Sequence, residues 1–161
     1  MGQESKVFSV NIKTSVEKRE VKFGALVCFE SVFPYFVSEF SQKGAEIFAV
    51  VANGQSWYGN TSGSYQHKEF SVLRSLENHR SFVRAANGGI SCLIDHTGKT
   101  VKATKMFETD VITVDVPLQK RGTVFVSSAP VVPYAVILIS LAAILLWIYQ
   151  IILEKKNKKQ I

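Results

Sequence analysis

The sequence predicts an α/β domain followed by a single membrane-crossing helix. Three observations predict this. Short apolar runs alternate with helix-like stretches between residues 21 and 116. Those runs are continuous rather than alternating, as in strands covered on one or both faces of a layered sheet. Residues 131–153 then form a charge-free run, VVPYAVILISLAAILLWIYQIIL. With 47% apolar and 11% aromatic residues in 161, the chain is neither disordered nor low-complexity.

Residues 1–10 (MGQESKVFSV) lack the apolar core of a signal peptide. Lys6 sits where N-myristoylation wants Ser or Thr. Residues 21–29 (VKFGALVCF) read as a first buried strand, with Cys28 at its C-terminal end and Glu30 on the same side of the extended chain. Residues 34–43 read as a short helix, Pro34 at its start and Gly44 just past its end. Residues 47–52 (IFAVVA) are a second buried strand, and the Gly- and Asn-rich stretch 53–63 around Trp57 and Tyr58 is a loop. Residues 64–80 are predicted helical, with Phe70, Leu73 and Leu76 facing the core and Arg74, Glu77 and Arg80 outside. A strand at 82–86 leads into an Asn87-Gly88-Gly89 turn. Residues 90–94 and 100–103 form a hairpin, residues 111–116 a last strand, and residues 117–130 lead towards the membrane.

The 23 residues 131–153 would extend about 35 Å as a helix, enough for a hydrocarbon core of about 30 Å. Tyr134, Trp147 and Tyr149 lie near its ends, where such rings favour the interface. Four lysines and one glutamate in 154–161 place half of the formal +6 charge in the tail. Short basic flanks stay cytoplasmic, so the C-terminus is expected inside and residues 1–130 outside. The basic balance is thus a topology feature. Nucleic-acid binding is not indicated, because no basic stripe with interleaved aromatics occurs elsewhere.

Two cysteines exclude disulfide-dense scaffolds and multi-cysteine zinc frameworks. His67, His79 and His96 show no metal-ligand spacing. A Gly-x-Ser-x-Gly elbow and a phosphate-cradling glycine loop are also absent. Cys28 is the candidate nucleophile, since strand ends are where α/β layers collect sites and a thiol there is activated by a neighbouring base or cation. The competing reading is an inert buried cysteine. Glu30 would orient a base or bind a substrate amine, or else form an ordinary salt bridge. Cys92, mid-strand, reads as a small core residue, and a Cys28–Cys92 disulfide stays open for a non-cytoplasmic domain.

Several ordered segments together resemble one family. Leu26-Val27-Cys28-Phe29-Glu30-Ser31-Val32-Phe33-Pro34 resembles the nucleophile motif of the apolipoprotein N-acyltransferases, membrane members of the carbon–nitrogen hydrolase (nitrilase) superfamily. Trp57-Tyr58-Gly59-Asn60-Thr61-Ser62-Gly63 resembles their Trp-aromatic-Gly loop, and Tyr65-Gln66-His67 with the helix up to Arg80 the stretch that follows. Arg84-Ala85-Ala86-Asn87-Gly88-Gly89-Ile90-Ser91 resembles their Arg-Ala-x-Asn-x-Gly-Ile-Ser turn. The resemblance covers about residues 23–125.

This implies part of a nitrilase-type αββα sandwich over residues 1–125, a linker at 126–130, a transmembrane helix at 131–153 and a basic tail at 154–161. It implies a bacterial inner-membrane location with the domain on the periplasmic side. The implied partners are a phospholipid acyl donor and a diacylglyceryl lipoprotein acceptor. Cys28 maps to the thioester-forming nucleophile and Glu30 to an acidic residue important in the family. The N–H of Phe29, which stands where tyrosine is frequent, would serve the oxyanion. Trp57 and Tyr58 would face lipid chains. Thioester chemistry needs no metal or redox cofactor.

The family's triad is Glu-Lys-Cys, and its Glu and Lys lie further upstream than the 27 residues before Cys28. Lys6, Lys13, Lys18, Glu17 and Glu20 match neither position. The chain is therefore read as the C-terminal portion of an acyltransferase, inactive by itself, its missing Glu and Lys supplied by a separate chain or a longer one. Alternatives are a membrane-anchored, non-catalytic nitrilase-like binding module and a soluble amidase, the latter disfavoured by the apolar run.

Overall fold

The computed structural model describes residues 5–13, 18–54 and 61–158. Six strands form one mixed sheet in chain order: β1 (Val7–Lys13), β2 (Lys18–Val27), β3 (Ile47–Asn53), β4 (Ser81–Asn87), β5 (Cys92–Ile94) and β6 (Thr100–Ala103). β2, β3 and β4 are parallel, because a helix returns the chain between them: α1 (Pro34–Gln42), then α2 (Thr61–Asn78). The flanking pairs β1–β2, β4–β5 and β5–β6 are antiparallel.

The parallel register aligns Gly24, Phe48 and Phe82 in one row and Leu26, Val50 and Arg84 in the next. These rows face Val37 and Phe40 of α1 in the core. Phe48 and Phe82 stack at 4.6 Å, and Phe40 meets Phe48 edge-on at 6.1 Å. Gly24 belongs to this packing: a Cβ there would lie 2.9 Å from the Phe48 ring and 3.0 Å from Phe40. The opposite face is less covered. Val27, Val51 and Val83 are 60%, 55% and 37% exposed, whereas Leu93 is buried.

Several expectations are corrected. β1 falls in a segment read as no strand at all; its side chains are mostly exposed, so no apolar run marked it. β2 stops at Val27, and Cys28–Val32 coil into a 3-10 turn. Cys28 and Glu30 therefore do not share a strand face. Residues 111–116 pair with no strand among the described residues. Alternate residues there are half-buried, and Val111, Ile112 and Val114 line a cleft with Val83 and Leu93. The stretch 117–130 contains a short helix, α3 (Val124–Ser128). Of the loop expected at 53–63, Asn53 ends β3 and Thr61–Gly63 open α2, while 55–60 lie outside the described residues.

The largest correction concerns α2. Its buried face carries Ser64, His67, Ser71, Arg74, Ser75 and Asn78, while Leu73 and Leu76 are about half exposed. The serines keep this face thin enough for close approach. Ser41 Oγ of α1 donates to Asn78 Oδ1 at 2.8 Å, closing the helix pair. Leu76 lies where a Cβ on Gly98 would stand, 2.8 Å away.

Residues 1–127 and 128–161 form two compact units. The second carries α4 (Val132–Lys158), whose stretch Val132–Ile152 is long and apolar enough to cross a membrane.

Candidate functional site

The C-terminal ends of β2, β3 and β4 lie side by side, at Val27, Val51 with Asn53 beyond it, and Asn87. Parallel sheets place their sites at this end, where loops vary over fixed strands. Cys28 is the first residue past β2. Its φ of 49° is left-handed, a conformation that costs a β-carbon residue about 1–3 kcal/mol. Val27 before it is extended, with φ −105° and ψ 113°. The chain thus turns sharply at the cysteine, from strand into helical turn.

Neighbouring groups hold this elbow. Glu30 folds back, its Oε2 accepting the Val27 N–H at 2.9 Å. Ser31 Oγ donates to the Cys28 carbonyl at 2.8 Å. His67 Nε2 lies 3.1 Å from the same carbonyl and 3.4 Å from Ser31 Oγ. Arg84 Nη2 lies 2.8 Å from His67 Nδ1, and Arg84 Nε donates to the Ile90 carbonyl. Phe29 is 53% exposed, and its ring stacks on the His67 ring at 6.1 Å.

Burial and the Arg84 charge hold His67 at a pKa of about 4, against the pull of its bond to the Cys28 carbonyl. It is a neutral imidazole at physiological pH. Burial also lowers Arg84, whose electrostatic neighbours are Cys92 and Cys28. Both cysteines are free thiols. Cys92 lies opposite Arg84 in the β4–β5 register, buried, with its thiol pushed up by desolvation. That suits a core cysteine, as expected.

The resembling turn acquires a physical meaning. Arg84 bonds to Ile90 across it, and Ser91 Oγ accepts the Ala86 N–H at 3.0 Å. Gly88 takes a φ of 71°. A Cβ on Gly54 would lie 2.7 Å from the Gly89 backbone, so the loops after β3 and β4 touch through two glycines.

Of the sequence-predicted residues, the structure brings Cys28, Phe29 and Glu30 into one turn. Trp57 and Tyr58 lie outside the described residues. Sequence reasoning missed His67, Arg84 and Ser31 as site residues. The polar stripe Ser64, His67, Ser71, Arg74 and Asn78, spaced three or four apart, was the available sign of an unusual buried face. Among the described residues, no three His, Cys, Asp or Glu side chains group as a metal site.

The carbon-nitrogen hydrolase family pattern matches residues 1–124. Among curated proteins, the apolipoprotein N-acyltransferase of Chlorobaculum tepidum is 36% identical over 121 residues, 75% of this chain and 22% of the relative. That of Rickettsia typhi is 40% identical over 99 residues, covering 60% and 19%. The Leptospira interrogans apolipoprotein N-acyltransferase 2 is 36% identical over 123 residues, covering 74% and 20%. The chain spans about a fifth of the length of these relatives. Among solved structures, Saccharomyces cerevisiae Nit3 of the nitrilase superfamily aligns with a TM-score of 0.47 at 18% identity, covering 67% of this chain and 39% of that one.

Proposed function

Because this chain belongs to the carbon-nitrogen hydrolase family, we propose that it is the C-terminal part of an apolipoprotein N-acyltransferase, with Cys28 as its acyl-carrying nucleophile. The observation that carries this reading is the left-handed Cys28 at the C-terminal end of β2, the start of a helical turn.

The Cys28 thiolate attacks an ester carbonyl of a phospholipid. A sulfur–carbon bond forms, the ester carbon–oxygen bond breaks, and the lysophospholipid alkoxide takes up a proton. The free α-amine of a diacylglyceryl-cysteine then attacks the thioester. An amide bond forms, the carbon–sulfur bond breaks, the amine releases a proton, and the thiolate returns. The thiolate is a strong nucleophile and a good leaving group, so one hard transfer becomes two easier ones. The Phe29 N–H lies in the first turn of Cys28–Val32, where helical N–H groups lack intrahelical partners; in this reading it donates to the oxyanion. Glu30 ties the entry to the elbow through Val27.

The general base and the activating cation come from elsewhere. Lys13, Lys18 and Glu20 lie towards the far end of β2, with Lys18 ten residues, about 33 Å, from Cys28. A longer chain or a separate one supplies the family's Glu and Lys and covers the exposed Val27, Val51 and Val83. Residues 1–161 alone are accordingly inactive. The stretch Val132–Ile152 anchors the domain in the bacterial inner membrane, with the basic tail cytoplasmic and residues 1–130 periplasmic.

The test is mass spectrometry of the chain incubated with phosphatidylethanolamine vesicles, alone and co-expressed with the upstream part of a relative. Acyl-Cys28 is expected only in the second case. Acyl transfer that survives Cys28→Ala overturns the reading. Efficient acylation of residues 1–161 alone by phosphatidylethanolamine overturns the claim of incompleteness.

A further inference from the structure

Arg84, His67 and the Cys28 carbonyl form a hydrogen-bonded row from β4 through α2 to the elbow. A guanidinium only donates, so His67 Nδ1 must accept from Arg84. A neutral imidazole has one N–H, which then sits on Nε2 and donates to the Cys28 carbonyl. Ser31 Oγ donates to the same oxygen, occupying its second lone pair. This carbonyl belongs to the peptide that joins Cys28 to Phe29. The peptide is planar and trans, so its N–H points opposite to its C=O. Fixing the Cys28 carbonyl therefore fixes the direction of the Phe29 N–H.

We propose that His67 and Arg84 are positioning residues that aim the Phe29 N–H at the oxyanion by pinning the carbonyl on the other side of the same peptide plane. Arg84 acts through His67 by selecting its Nε2–H tautomer, and the Ile90 carbonyl holds Arg84 in place. The neutral state of His67 agrees with this arrangement, because a protonated ring would set two cations face to face. The inference rests on Cys28 being the nucleophile.

Two reagents separate aiming from mere stability. Acylation by p-nitrophenyl acetate passes through a tetrahedral oxyanion, whereas alkylation by iodoacetamide does not. Both rates are read at Cys28 by mass spectrometry on the full chain in detergent, with no need for lipid transfer. His67→Leu is expected to slow acylation roughly tenfold or more, about 1.4 kcal/mol on the barrier, while alkylation changes less than about twofold. His67→Gln, which keeps an N–H near the Nε2 position, is expected to restore most of the acylation rate. Equal slowing of both reactions, or identical behaviour of Leu and Gln, overturns the proposal. The tautomer is read on the unmutated chain with 15N-histidine. A proton on Nε2 supports the proposal; a proton on Nδ1 overturns it whether or not any variant folds. Failure of the vesicle assay, with the rate ratio and the tautomer as expected, would count against the acyltransferase reading and not against the aiming of the Phe29 N–H.

Discussion

Acidification should loosen the domain through one buried imidazole. His67 is 2% exposed, and its pKa falls from an ordinary 6.5 to about 4 in the folded chain. A depressed histidine pKa means that the unfolded chain takes the proton first. Stability is therefore complete above about pH 6.5, falls as pH drops through that value, and stops falling below about pH 4. The shift of about 2.5 units corresponds to about 3.4 kcal/mol in full, and to about 2.5 kcal/mol between pH 7.5 and pH 4.5. Among the described residues, the groups facing the ring include the Arg84 guanidinium, the Cys28 carbonyl, Ser31 Oγ and the Phe29 ring; a guanidinium stays charged over this interval. The assay is urea unfolding of the chain in detergent at both pH values, comparing the unmutated chain with His67→Gln. The difference isolates His67, because His79, also held low, and Glu77, held high by burial, titrate in both proteins. The unmutated chain should lose about 2.5 kcal/mol more than His67→Gln over this interval. An equal loss in the two proteins refutes the argument, and with it the neutral, buried state of the ring.

Other perturbations have defined outcomes. Gly24→Ala drives a methyl group into the Phe48 and Phe40 rings and should cost about 1–3 kcal/mol in urea unfolding. Gly54→Ala collides with the Gly89 backbone, which no rotamer relieves. It should separate the two loops and raise hydrogen exchange of the Ala86 N–H. Glu30→Ala removes the acceptor of the Val27 N–H and should cost about 0.5–2 kcal/mol, visible as a lower melting temperature. Deleting residues 132–158 should release the chain from membranes, measured by resistance to carbonate extraction; a truncated chain that stays in the pellet contradicts the anchor.

Much of the fold was legible because its elements carry local chemistry. Pro34 and Gly44 bracket α1, continuous apolar runs mark the parallel strands, and Gly98 with its φ of 82° marks the hairpin turn. The α2 face was misread because periodicity reports only where the apolar residues are. It cannot know that Arg84 would reach His67 from β4 and make a polar face the buried one. Residues 111–116 have strand composition but pair with no strand among the described residues, and pairing is a property of the partner as much as of the segment.

Sequence alone determined the nucleophile candidate, the strand–helix alternation up to residue 86 and the length and apolarity of the terminal helix, because each is written in residue type and spacing within a few neighbours. Only the tertiary structure decided how the elbow is held. Cys28, Ser31, His67 and Arg84 lie up to 56 positions apart and come from three separate elements. Their meeting depends on the register of β2, β3 and β4 and on the closeness of a serine-lined helix, both set by packing across the whole sheet.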